Sequence, residues 1–209
     1  MGIKLPEPSR ALDGSTRGCH DLGVSDISLK GRLLVAEPAL QDPNFARTVV
    51  LVLEHSQDGA IGVVLNRPSD FDVDGALPHW AHLATPPSVV FVGGPVAEEG
   101  TAICLARTRG PVPDEVFKPV LEGVGTLDVS TTLEDTGTAI EEVRLYAGYS
   151  GWSAGQLEQE IEAGGWFVVD ARPVDGFTTD PERLWKAVLG RQRGQLAWFV
   201  NFPPDVAMN

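Results

Sequence analysis

The residues of this chain whose types could do chemistry sit beside glycines and at the ends of apolar runs. Tyr149, Trp152, Gln156 and Glu160 fall in the segment from Arg144 to Val169, among Gly148, Gly151 and Gly155. His55 closes the run Thr48–His55. Asn44 and Arg47 precede that run, Asn66 ends the next, and Gly93-Gly94 follows a third. His55 and Glu160 are the groups suited to exchanging a proton. Asn44, Asn66 and Gln156 offer polar groups that either bind a ligand or cap turns and satisfy buried carbonyls. Main-chain N–H groups near Gly93-Gly94 could receive an anion, with Arg47 or Arg67 neutralising it. These ten residues are the candidate ligand- or partner-binding set, and the glycines let other segments approach them closely.

Two apparent motifs do not carry chemistry. Gly151-Trp152-Ser153-Ala154-Gly155 fits the Gly-x-Ser-x-Gly elbow of strand-turn-helix hydrolases. That elbow needs an acid and then a histidine later in the chain, and the last histidine here is His82. Ser153 reads instead as a helix N-cap, with Gln156 completing a capping box. His79 and His82 stand three apart without a third ligand at matching spacing, so no metal is expected. Cys19 and Cys104 are too few for a disulfide framework or a zinc site, which suits free thiols in a reducing cytosol. No cofactor is implied.

The elements that must position these residues are legible from apolar patterning. Thr48–His55 and Ala60–Asn66 are nearly continuous apolar runs, the pattern of central strands covered on both faces. Asp58-Gly59 joins them as a hairpin, and Gly62 marks a bulge or a close neighbour. Further strands are expected at Gly31–Glu37, Ser88–Val92, Thr101–Arg107, Gly125–Ser130, Val143–Gly148 and Trp166–Val169. Val143–Gly148 is apolar enough to join the same layer as the hairpin. Helices are expected after Ser153, after Asp180-Pro181-Glu182, from Thr132 to about Ile140, and within Val73–Ala84. Strands outnumber helices and hairpins alternate with single helices. This predicts an α+β fold of mixed, coiled sheets. Residues 1–27 are polar and rich in proline and glycine, and read as a flexible arm ahead of one domain from 28 to 209. The tail carries Trp198, Phe199 and Phe202, which are expected to pack down.

With a formal net charge of −13, the 209-residue chain is a poor match for nucleic acid or anionic lipid. The eight acids from Asp114 to Glu142 are accompanied by one base, Lys118, while the stretch from Arg183 to Arg193 carries four bases, Arg183, Lys186, Arg191 and Arg193, and no acid. Both stretches read as solvated surface or helix-end charge. No apolar run reaches transmembrane length, and residues 1–30 lack the apolar core of a signal peptide.

Taken in order, Gly31-Arg32-Leu33-Leu34-Val35-Ala36, Asp42-Pro43-Asn44-Phe45-x-Arg47-Thr48-Val49-Val50, Glu54-His55, Gly59-Ala60-x-Gly62 and Leu65-Asn66-Arg67-Pro68 form a pattern. Gly93-Gly94-Pro95-Val96 and Gly148-Tyr149-x-Gly151-Trp152-x-x-Gly155-Gln156-Leu157-Glu158-x-Glu160-Ile161 complete it. The combination resembles the YqgE/AlgH family of bacterial proteins over residues 28–195. The resemblance implies a soluble cytosolic protein, partly barrel-like, whose family name is attached to transcriptional regulation of exopolysaccharide synthesis. It brings no agreed catalytic residues, and the arm before Ser28 lies outside its pattern.

Three functional readings follow. The motif residues could be structural. They could form a site for a small molecule or a protein partner, acting in regulation without direct contact to nucleic acid or membrane. They could also form a hydrolase-like cleft around His55 and Glu160.

Overall fold

The computed structural model describes residues 28–97, 101–131 and 139–202. Its strands are β1 (Arg32–Ala36), β2 (Val49–Ser56), β3 (Gly59–Val64), β4 (Pro68–Asp72), β5 (Val89–Val92) and β6 (Ala102–Thr108). They continue as β7 (Phe117–Leu121), β8 (Val124–Leu127), β9 (Ile140–Ala147), β10 (Ser150–Ser153) and β11 (Trp166–Asp170). Among the described residues three short α-helices accompany them: α1 (Val73–Ala76), α2 (Gln156–Glu162) and α3 (Leu184–Gly190).

The strands form two sheets. The first is antiparallel, in the order β10-β3-β2-β1-β11; the second is mixed, in the order β4-β5-β9-β6-β8-β7, with β5 parallel to β9. The fold is therefore α+β, as the patterning predicts, and among the described residues neither sheet closes into a barrel.

Each sheet is covered on both faces, which explains the unbroken apolar runs. Between the sheets, Leu33, Leu51 and Val63 of the first pack with Phe91, Leu105 and Tyr146 of the second. On the outer face of the first sheet, Leu34, Val50 and Val64 lie with Trp152, Leu157 and Trp166. On the outer face of the second, Cys104, Val143 and Leu145 meet Val73, Leu77 and Trp80. The α3 helix buries Leu184, Trp185, Val188 and Leu189, and the Trp185 indole donates to the Ala36 carbonyl at 2.9 Å.

The sheets are stitched together at glycines. The Gly93 N–H donates to Ala147 at the end of β9, and its carbonyl accepts from Val64 at the end of β3, at 2.8 and 2.9 Å. A Cβ on Gly93 would stand 2.3 Å from the Gly148 carbonyl oxygen. Gly148 itself has φ 70, a conformation that favours glycine, and there the chain leaves the second sheet for the first.

Several sequence expectations need correction. β9 does not share a sheet with the β2–β3 hairpin; the four residues of β10 do, because the turn at Gly148 redirects the chain. Ser153 ends β10 and is not the N-cap of α2; that position belongs to Gly155, with φ 72. Gln156 nevertheless reaches back, accepting from the Ser153 N–H and hydroxyl at 3.1 Å each. Pro68 begins an edge strand, where a missing N–H is tolerated, and Pro119 sits in the edge strand β7, which the sequence reading missed. The segment Val73–Ala84 holds only the four-residue α1 and a 3-10 turn at Ala81–Leu83. Phe199 stacks on Phe167, but Trp198 is 78% exposed and does not pack down. Ile140 opens β9; the helix expected before it, like the arm at 1–27, lies outside the described residues.

Candidate functional site

The ten sequence-derived residues do not meet at one place. Asn66 stands at the start of β2, where its Oδ1 accepts from the Val49 N–H and its Nδ2 donates to the Arg47 carbonyl, both at 2.9 Å. It thereby fixes Arg47 in a left-handed conformation, φ 59, that a non-glycine residue seldom adopts. The Arg47 guanidinium lies 4.4 Å over the Trp185 ring and donates to the Phe202 carbonyl. Asn44 is exposed in the same loop, and its N–H donates to Asp42. Phe45 carries this loop to the outer face of the first sheet, stacking on Trp152 and meeting Trp166 edge-on.

On that face Glu160 is an acceptor for aromatic donors. Its Oε2 takes the indole N–H of Trp152 and of Trp166 at 2.9 Å each, and its Oε1 takes the Gln156 amide at 3.0 Å. A carboxylate so engaged holds two buried indoles in place. Gly93 and Gly94 lie against the main chain of Gly148, Tyr149 and Ser150, and the Gly93 N–H is taken by the Ala147 carbonyl.

His55 stands at the other end of β2. The Leu29 N–H points at its Nδ1 at 3.0 Å, so the ring proton sits on Nε2, which donates to Glu158 at 2.7 Å. Both ring nitrogens are thus taken by the protein, and the partner is Glu158, not Glu160. The acid/base pair expected from the sequence is not formed. The Ser153 hydroxyl donates to Gln156, and among the described residues no imidazole bonds to it.

What the structure does open is a cleft of about 700 Å³ between the two sheets. One wall is the β2–β3 hairpin end with β10; the other comes from β6, β7 and β8. Ile61, Ile103, Val120 and Tyr149 supply apolar surface, and Trp152, whose ring packs on the outer face, borders the cleft. Glu54, His55, Asp58, Lys118 and Thr126 supply polar groups. Of the sequence-derived set, His55, Tyr149 and Trp152 line it. Lys118 and Val120 were missed because they lie on β7, whose strand pattern Pro119 interrupts, and Thr126 because a lone threonine in an expected strand carries no signal of a site. The volume falls in the range of about 300–1,000 Å³ usual for small-molecule sites. Among the described residues no group of three or more His, Cys, Asp or Glu side chains could hold a metal ion, and no helix is long and apolar enough to cross a membrane.

The chain is similar to known proteins in sequence and fold. A family described as AlgH-like matches residues 33–197. The UPF0301 protein SCO2948 of Streptomyces coelicolor is 45% identical over 191 residues, covering 90% of this chain and 99% of its own. A UPF0301 protein of Thermobifida fusca is 42% identical over 197 residues, covering 88% and 96%. Among solved structures, protein DIP2367 of Corynebacterium diphtheriae aligns with TM-score 0.76 and 31% identity over 82% of this chain and 91% of its own. The AlgH protein of Pseudomonas aeruginosa aligns with TM-score 0.60 and 29% identity over 87% and 97%. The match spans both sheets, from β1 to the segment after α3, and so takes in every wall of the cleft: the chain belongs to the AlgH-like family.

Proposed function

We propose that this protein is a binding module whose site is the cleft between the sheets, and that its regulatory effect is exerted indirectly, in the bacterial cytosol. The observation that supports this reading is the cleft itself. It joins an apolar, aromatic interior to a rim bearing both Lys118 and the acids Glu54 and Asp58. Such a lining suits an amphipathic small molecule with an ionised group. A catalytic reading is weaker, because the His55 nitrogens are both engaged and Glu160 faces two indoles elsewhere.

Direct action on nucleic acid has little support. The net charge is −13, and the apolar face of α3, the element nearest the basic cluster, is buried in the core. Fluorescence anisotropy with promoter fragments at physiological salt is expected to show no submicromolar binding.

Native mass spectrometry of the full chain purified from its own host tests the binding reading. A co-purifying small molecule is expected on the wild type and absent from Ile61→Trp, which fills the cleft from β3. A bare wild type, with no stabilisation by any member of a metabolite library, would reject the reading.

A further inference from the structure

Most polar groups of the cleft lining are taken by the protein itself. Glu54 is paired with Lys30 at 2.7 Å. The His55 ring is held by the Leu29 N–H and by Glu158, and the Ser56 hydroxyl accepts from the Asp58 N–H. The side chains of Lys118, Thr126 and Tyr149 differ: among the described residues they make no hydrogen bond or ion pair. Lys118 on β7 and Thr126 on β8 are direct cross-strand partners. Their side chains therefore stand side by side on one face of the sheet, about 5 Å apart at Cβ. Tyr149 lines the cleft with them, and both Thr126 and Tyr149 are half-buried.

We propose that the cleft takes a monoanionic amphiphile, an aliphatic or aryl carboxylic acid. Lys118 Nζ and the Thr126 hydroxyl donate to its carboxylate, and its apolar body lies on Ile61, Ile103 and Val120. This inference rests on the cleft being the binding site. A neutral apolar ligand would cover the Thr126 and Tyr149 hydroxyls without pairing them, which costs free energy. A carboxylate supplies an acceptor with several lone pairs to the ammonium and hydroxyl together. Lys118 is the one Lys or Arg among the lining residues, so the site neutralises a single charge. The chain carries a net charge of −13, and its field opposes every further negative charge on a ligand. Nucleoside polyphosphates and other polyanions are therefore poor occupants. Asp58, exposed at the hairpin turn, is the one carboxylate of the lining without an ion pair and would be the group for a cationic ligand.

Three probes with the same apolar chain separate these cases: decanoate, decanol and decyltrimethylammonium, each kept below self-association. Amide shifts of Ile103, Thr126 and Tyr149 in the full chain report binding. Decanoate is expected to bind about fivefold or more tightly than decanol, the scale of one exposed charge pair. Lys118→Met should remove that advantage and leave decanol unchanged, while Lys118→Arg should keep it. Decanol or the cation bound as tightly as decanoate, or decanoate binding unchanged in Lys118→Met, overturns the proposal. A preferred cation lost in Asp58→Asn overturns it in favour of a cation site. Any such failure with probe binding that Ile61→Trp abolishes leaves the cleft standing as the binding site. Decanoate binding that survives Ile61→Trp overturns the proposal by placing the anion elsewhere. Absence of binding by all three probes also overturns it, and the cleft reading is then decided by native mass spectrometry alone.

Discussion

His55 Nε2 donates to the Glu158 carboxylate at 2.7 Å across 103 residues of sequence, tying the end of β2 to α2. The two side chains are unequally exposed, at 9% and 47%. The exposed carboxylate is expected to matter little: Glu158→Ala should cost less than about 1 kcal/mol. His55→Ala also leaves the Leu29 N–H without its acceptor and should cost about 1–2 kcal/mol. Urea denaturation of both variants checks the order. Faster hydrogen exchange at Leu29 in His55→Ala alone checks its cause.

Glu160 is the acceptor for two indoles that are 6% and 4% exposed. Glu160→Ala strands both donors and should destabilise the fold by about 3 kcal/mol, while Glu160→Gln, which keeps an acceptor, should cost less. Gln156 is exposed, and Gln156→Ala should stay within about 1 kcal/mol. Thermal or chemical unfolding checks the ranking. A Gln156→Ala loss as large as that of Glu160→Ala would contradict it.

Gly93 joins the two sheets by its own main-chain bonds and has no room for a side chain. Gly93→Ala is expected to push the Gly148 turn away and destabilise the protein by about 2 kcal/mol or more. Gly75, where nothing lies within 4 Å of a built Cβ, is the control, and Gly75→Ala should be neutral or stabilising. Equal stability of the two variants would contradict the prediction.

Burial pushes the Cys104 thiol up to about 12. In the unfolded chain it titrates near its ordinary value, so the folded state holds the proton more tightly. The resulting stabilisation is complete below about pH 9 and is lost as pH rises toward 12. Burial also raises the Tyr146 hydroxyl, which adds to the same alkaline loss. Unfolding free energies measured from pH 7 to 11 should fall above pH 9, and less steeply in Cys104→Ala. At pH 8 a thiol reagent should modify Cys104 only after unfolding.

The site was less legible than the fold. His55, Tyr149 and Trp152 could be picked out because aromatic and polar groups beside glycines are conspicuous in sequence. The opposing wall was not, since Lys118 and Thr126 look like ordinary surface residues of an acidic stretch. Glu158 gave no signal as the partner of His55, because hydrogen-bond pairing across 103 residues leaves no local pattern. Asn66 looked like a ligand group, yet its amide closes the start of β2.

Local patterning by itself determined the β2–β3 hairpin, the buried strands β1, β6 and β11, the α3 helix and the α+β class. In these elements the burial period and the turn residues are written in consecutive positions. Tertiary structure alone decided which sheet each strand joins. β9 and β10 are separated by two residues and belong to different sheets, because the left-handed turn at Gly148 redirects the chain and Gly93 fits against it. The cleft follows from that division. It is the gap left where two sheets diverge, and its walls come from segments that meet only after both sheets have packed.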